Sequence, residues 1–160
     1  MNLSLSHRLL HQESLSNGDV QALLGTAESL LRAAQAGIEQ RPLKGKNIAV
    51  LCRTPDCPCA REFEAAATGL GARVSRIPPD AALLLDDHAA THDTLKMLSR
   101  LYDAIECDEL PLEVARRLHR TLGVPVYDGP ARNDHPLQRL AVEGVSPGYL
   151  LQALLVNTLA

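Results

Sequence analysis

A chain of 160 residues with 46% hydrophobic and 22% charged residues has ordinary globular composition and length enough for one domain with a real core. A net charge of -3, no Trp, one Phe and three Tyr provide neither a basic face nor an aromatic platform, which argues against nucleic-acid binding. No apolar run approaches the roughly 20 residues that span a bilayer, and the segment from Met1 to Arg8 lacks the basic-then-apolar order of a secretory signal. The four cysteines, Cys52, Cys57, Cys59 and Cys107, are therefore expected as reduced thiols in a cytoplasmic protein.

The first helix is announced by Ser16 followed by Asp19, an N-cap signature. Val20, Leu23, Leu24, Ala27, Leu30, Leu31 and Ala34 then recur at helical spacing, and Gly37 ends the run. A turn from Arg41 to Lys46 leads into Asn47 to Cys52, a short apolar run with the length and flanks of a strand buried on both faces. A second helix is predicted over 61–70, with Phe63, Ala66, Ala67 and Leu70 on one side and Gly71 at its end. Arg73 to Ile77 reads as a strand that Pro78-Pro79 stops. Thr91 is placed to cap a third helix carrying Leu95, Leu98, Leu101 and Tyr102, which runs into a third strand, Asp103 to Cys107. Pro111 at a helix start, Val114, Ala115, Leu118 and Gly123 outline a fourth helix. Val124 to Tyr127 is the fourth strand.

Helices alternating with short apolar strands imply parallel βαβ units. The expected fold is α/β: a small parallel sheet of about four strands with helices on both faces. A C-terminal helix would pack back on it: Ser146 is its candidate N-cap, Pro147 its first residue, and Leu150, Leu151, Leu154, Leu155 and Leu159 its apolar stripe. In such sheets ligands bind beyond the carboxyl ends of the strands, near the switch point. The segments there are 53–60, 108–110 and 128–134.

Three stretches of this order resemble the first, carbamoyl-phosphate-binding domain of the aspartate and ornithine carbamoyltransferases. Leu43-Lys44-Gly45-Lys46-Asn47-Ile48-Ala49-Val50-Leu51 resembles the family's Leu-x-Gly-Lys lead into its first strand. The run from Asp93 to Ile105 resembles its Asp-Thr-x-x-x-Leu-Ser-x-x-x-Asp-Ala-Ile helix and strand. Val124-Pro125-Val126-Tyr127-Asp128-Gly129 followed by His135-Pro136-Leu137-Gln138 resembles its Val-Pro-Val strand and His-Pro-x-Gln signature. The likeness reaches to about Ala141. It divides the chain into a family-like domain over 1–145 and a helix over 146–160 that resembles the family's last helix. The family's large second domain has no counterpart in the stretch between them.

The family's phosphate loop, Ser-Thr-Arg-Thr-Arg-x-Ser-Phe-Glu, is replaced here. Anchored on Phe63-Glu64, its Ser becomes Asp56, its two Thr become Cys57 and Cys59, and its two Arg become Pro58 and Ala60. The Arg that the family carries after the third strand becomes Asp108. A phosphate at a helix N-terminus is held by backbone N–H groups, the dipole and Arg forks. Pro58 removes one N–H, and Asp56 and Asp108 add negative charge. Charge-assisted hydrogen bonds are worth roughly 1.5–3 kcal/mol each. Losing three costs about 4–9 kcal/mol if they add, a thousandfold or more in affinity.

His135 and Gln138 match the positions that hold the carbamoyl group in the family; the competing reading is that His135-Pro136 begins and caps a helix. The resemblance also implies a homo-oligomer, a trimer formed through this domain. The family's loop from the neighbouring subunit, with its Lys, corresponds to Asp80 to His92, which holds no Lys or Arg.

The thiols support a separate expectation. Cys52 and Cys107 end the first and third strands, which the resemblance makes neighbours, and Cys57 and Cys59 lie in the loop above them. With His135 they form a set suited to zinc or another soft metal, chiefly through Cys57, Cys59, Cys107 and His135. A thiol near a helix N-terminus is alternatively redox-active, or all four are plain reduced thiols. His88 and His92 are read as solvent-facing loop residues, and Arg116-Arg117 as a solvated helix face.

Taken together, the sequence points to a catalytically inactive, carbamoyltransferase-like domain without a cofactor, acting through self-association or a partner such as a full-length carbamoyltransferase. The alternative is a small-molecule or metal binder, or an enzyme, with a pocket rebuilt around Cys57, Cys59, His135 and Gln138; Asp56 and Ala60 complete the candidate ligand-binding residues. A carbamoyltransferase still active would need the missing groups from another chain.

Overall fold

Ser16 caps the first helix in a closed capping box. Its hydroxyl accepts from the Asp19 N–H at 3.1 Å, and the Asp19 carboxylate accepts from the Ser16 N–H at 3.1 Å. The computed structural model describes residues 5, 9, 15–54, 56–79, 88–108, 110–141 and 144–160. Helix α1 spans Asn17–Gln35 and is followed by strand β1 (Asn47–Leu51), α2 (Pro58–Gly69), β2 (Arg73–Ile77) and α3 (His88–Leu101). Then come β3 (Ala104–Glu106), α4 (Leu112–Leu122), β4 (Val126–Tyr127), a 3-10 helix (Pro136–Leu140) and α5 (Pro147–Leu159).

The four strands form one parallel sheet in the order β2-β1-β3-β4, which is the α/β architecture the alternation implied. Ile48 lies opposite Val74 on one side and Ala104 on the other, and Ile105 lies opposite Val126. The period of two divides the central strands between two cores. Ile48, Val50 and Ala104 pack with α1, α2 and α5, whereas Ala49, Leu51 and Ile105 pack with α3 and α4. Burial on both faces is why these strands read as continuous apolar runs.

Helix α5 is more than a stripe. Leu150, Leu151, Ala153, Leu154, Leu155, Thr158 and Leu159 are all buried, and the helix packs on α1, α2 and the 3-10 helix. A buried hydroxyl pair, Tyr127 to Thr158 at 2.6 Å, ties it to β4, and the Thr158 hydroxyl donates onward to the Leu154 carbonyl at 2.7 Å. Thr158→Val keeps the shape and removes that partner of the Tyr127 hydroxyl. It should cost about 1–3 kcal/mol, the penalty for stranding a buried polar group, read as a lower midpoint in urea unfolding.

Several expected boundaries move. Helix α2 starts at Pro58 rather than Arg61, because Pro at the first helical position is pre-set for the turn and has no N–H to lose. Thr91 lies inside α3, which begins at His88, so it is not the cap; His88 and His92 are helical rather than loop residues. On α3 Leu98 is buried, but Leu101, expected on the same face, is 56% exposed, as is Met97 at 52%. The third strand is shortened to Ala104–Glu106 and the fourth to Val126–Tyr127. Ser146 holds the N-cap position of α5 with no hydrogen bond from its side chain. The expectations for the N-terminal signal and for 80–87 of the cross-subunit loop fall outside the described residues.

Candidate functional site

Strand β1 leads through α2 to β2 on one side of the sheet, and β3 leads through α4 to β4 on the other. The two connections diverge, so a crevice opens beyond the carboxyl ends of β1 and β3. Cys52 follows β1, and its N–H donates to the Ile77 carbonyl at 3.1 Å; Cys107 follows β3, and its N–H donates to the Tyr127 carbonyl at 2.8 Å. Both thiols are buried. The Cys107 thiol donates to the Tyr127 carbonyl at 3.3 Å, and burial with the neighbouring Glu106 charge pushes it up. These two cysteines extend the sheet and are core groups.

The other two stand at the crevice. Cys57 is the N-cap of α2 and Cys59 its second residue, separated by Pro58. Both are half-buried. The Cys57 thiol donates to Asp108 Oδ2 at 3.9 Å. The Cys59 thiol is pushed up to about 11, first by burial and then by the charge of Asp108. Asp108, whose side chain is only 12% exposed, therefore faces the Cys57 thiol from the end of β3. Its other oxygen, Oδ1, pairs with Arg132 Nη1 at 3.0 Å. Arg132 Nε in turn faces Asp134 Oδ1 at 3.3 Å.

Beneath this pair lies Glu106. It is buried, and its Oε1 accepts from the Gly129 N–H at 3.0 Å. Burial pushes its carboxyl up to about 8 against that hydrogen bond. Asp128 is also raised, by burial, with Arg132 opposing the shift. Gly129 has φ +63, and a Cβ there would collide with the Asp108 carboxylate. Gly129→Ala should lose about 1–2 kcal/mol from the left-handed backbone alone, and more from the displaced Asp108–Arg132 pair. Thermal unfolding beside wild type measures the sum.

His135 and Gln138 occupy a different place. His135 Nδ1 accepts from the Leu137 N–H at 3.1 Å, capping the 3-10 helix. Burial, then the Arg132 charge, lowers the imidazole to about 4. Gln138 Nε2 donates to the Pro130 carbonyl at 2.6 Å, closing the loop after β4. Gln138 also lines a groove of about 810 Å³ with Ile38, Glu62, Asn133, Tyr149 and Gln152. Neither the thiols nor His135 line that groove.

The expected pocket residues are therefore divided. Asp56 is an exposed turn residue. Ala60, one of the two positions matched to a phosphate-loop Arg, is 1% exposed in the core with Phe63 and Ala67, because the earlier start of α2 turns it toward the sheet. The soft-metal set of Cys57, Cys59, Cys107 and His135 is not assembled. Cys107 belongs to the α3–α4 core, Cys57 and Cys59 pack on the α1–α2–α5 core, and the sheet lies between. Among the described residues no group of three or more His, Cys, Asp and Glu side chains stands ready to hold a metal ion. Arg132, Glu106 and Gly129 were not singled out from the sequence. Glu106 had a readable signal, an acid inside an apolar strand; Arg132 had none beyond its loop.

A four-stranded parallel sheet in the order β2-β1-β3-β4, with helices on both faces, defines a small open α/β class of domain. The family model described as "Aspartate/ornithine carbamoyltransferase, carbamoyl-P binding domain" matches residues 7–142. The chain belongs to that family. It is 38% identical over 123 residues to the catabolic ornithine carbamoyltransferase 1 of Staphylococcus epidermidis, covering 77% of this chain and 37% of the relative. It is 36% identical over 140 residues to the ornithine carbamoyltransferase of Actinobacillus pleuropneumoniae, covering 88% and 41%. Among solved structures, the Pyrococcus furiosus ornithine carbamoyltransferase superposes with TM-score 0.60 at 27% identity, over 70% of this chain and 36% of that one. The Burkholderia thailandensis ornithine carbamoyltransferase superposes with TM-score 0.65 over 79% and 43%; its 22% identity speaks to fold alone. The chain spans about two fifths of the length of these relatives. No helix among the described residues is long and apolar enough to cross a membrane.

Proposed function

We propose that this is a carbamoyltransferase-type domain of amino acid metabolism whose carbamoyl-phosphate site has lost its phosphate-binding groups, and that it acts in the cytoplasm by association rather than catalysis. The observation that carries the reading is Asp108. It stands at the end of β3 where the family resemblance asks for an Arg, and it holds Arg132 in an ion pair. A phosphate entering the crevice would meet that carboxylate, and Pro58 supplies no N–H at the first position of α2. His135 and Gln138, the retained carbamoyl-reading positions, have structural work in the loop after β4.

Calorimetric titration with carbamoyl phosphate at neutral pH and low salt tests this. The expected result is no saturable heat up to millimolar ligand. A Kd tighter than about 1 mM, roughly -4 kcal/mol, would overturn the charge argument and make His135 and Gln138 the first residues to mutate.

The association half of the reading rests on α3. Met97 and Leu101 are one turn apart and both more than half exposed, an apolar pair that a second surface would cover. A homotrimer, or a mixed assembly with a full-length carbamoyltransferase, is the form the family suggests. Light scattering should give three chains per particle, falling to one in the Met97→Glu/Leu101→Glu double variant. A monomeric wild type up to about 100 μM, weaker than roughly -5 kcal/mol of association, would remove the homotrimer. We assign 1–145 to the family-type domain and 146–160 to the helix that completes its core.

A further inference from the structure

We propose that the groove between α1 and α2 binds a small organic cation, an ammonium or guanidinium group carried on an aliphatic stem. The proposal is independent of the phosphate site and of whether the domain associates.

Three features of the groove select that ligand. The first is its shape. Helices α1 and α2 both rest on α5, and the space between them measures about 810 Å³, within the roughly 300–1,000 Å³ that holds a small organic ligand. Ala33 and Ala34 line it from α1, Ala65 and Ala66 from α2, and Leu151 from α5. Short side chains on the two walls keep the groove open, and their methyl groups give an aliphatic stem an apolar surface to cover.

The second feature is charge. Glu62 on α2 and Glu39 beyond the end of α1 line the groove, and among the described residues no Lys, Arg or His does. Glu39 is partly answered by Arg41, 3.6 Å away, with both side chains exposed. The Glu62 carboxylate is therefore the one left for a ligand cation.

The third feature is the polarity of the hydrogen bonds on offer. Gln138 Nε2 donates to the Pro130 carbonyl at 2.6 Å, and Gln152 Nε2 donates to the Ala66 carbonyl at 3.3 Å. With both amide nitrogens engaged by backbone, each side chain is left chiefly with its Oε1, which only accepts. Gly69 leaves room for this arrangement, because a Cβ there would stand 3.0 Å from Gln152 Nε2. Carboxylates and amide oxygens together call for a ligand rich in N–H donors. An ammonium brings three and a guanidinium five, each with the charge that Glu62 complements.

The probe is n-hexylguanidine, titrated into the isotope-labelled full chain at neutral pH and low salt. Nuclear magnetic resonance follows the side-chain amide signals of Gln138 and Gln152. The expected result is saturable movement of both signals with a Kd of about 1 mM or tighter, weakening as salt is added. Heptanoate, with the same hexyl stem and the opposite charge, should not saturate by about 10 mM. Glu62→Gln should weaken the guanidine about threefold to fivefold, the effect of one exposed charge. Ala65→Leu, at an exposed position of the α2 wall, should weaken it about tenfold, the worth of roughly two buried methylenes. Circular dichroism confirms that each variant is folded. Three results would each overturn the proposal: no saturable movement with n-hexylguanidine, heptanoate binding as tightly, or unchanged affinity in the Glu62→Gln/Ala65→Leu double variant. Carbamoyl-phosphate calorimetry reads a different ligand, so failure of one reading is separable from failure of the other.

Discussion

Glu106→Gln should make this domain more stable at pH 8 and flatten its stability between pH 4.5 and 8. The wild-type carboxyl is raised by burial from 4.5 to about 8 in the folded state. A raised carboxyl keeps its proton in the fold over a range where the unfolded chain has lost it. Stability is therefore complete below about 4.5 and falls as pH rises through 8. Each unit of separation is worth about 1.4 kcal/mol, so several kcal/mol are at stake across that range. Gln retains the oxygen that accepts from the Gly129 N–H and has no proton to lose. His135 works in the opposite direction. Its folded-state value is lowered to about 4 against 6.5 when unfolded, so its contribution is present above 6.5 and is lost as pH falls to 4. The two slopes oppose one another between 4.5 and 6.5. Urea midpoints of wild type should peak in that interval and fall above it. A midpoint that holds steady from pH 6.5 to 8.5 in wild type would show that Glu106 is not protonated in the fold.

Phe63→Ala should remove about 3–5 kcal/mol, the range for deleting a buried aromatic ring, out of a typical total of about 5–15. Phe63 is the only Phe in the chain, is fully buried, and tilts at 48° against the Tyr127 ring with centroids 5.5 Å apart. It projects from α2 into the core shared with α1 and α5. The same helix carries Cys57 and Cys59 at its start, so a shift there loosens the crevice as well. Chemical denaturation should show the loss directly. Phe63→Leu, which conserves more of the volume, should lose clearly less. Equal loss in both variants would point to the ring contact with Tyr127 rather than to the cavity.

Much of the fold was legible in the residues. The capping box at Ser16, Pro111 before α4 and the left-handed Gly123 after it are local devices, decided by a few neighbouring atoms. The parallel sheet followed from apolar runs too short for helices and apolar on both faces. The start of α2 was less legible. The resemblance places Pro58 in a loop, although its own chemistry favours the first helical position. The exposure of Leu101 was not readable at all: helical spacing puts it near Leu98, and only the end of α3 against β3 and α4 decides which of the two is covered.

The candidate site divides along the same line. The sequence by itself determined the family, the identity of Pro58, Ala60 and Asp108 where the resemblance asks for arginines, and the presence of two thiols beside a helix start. Those are matters of residue type and order along the chain. Only the tertiary structure decided that Asp108, 51 residues from Cys57, meets that thiol, and that Arg132 pairs with it. Only it separated Cys107 and His135 from Cys57 and Cys59 and turned Ala60 into the core. Pairing of charges and thiols across separate loops depends on which strand ends lie side by side and on which face of the sheet each side chain leaves. The period of two and the strand order settle that in three dimensions, and neither is written in the spacing between these residues.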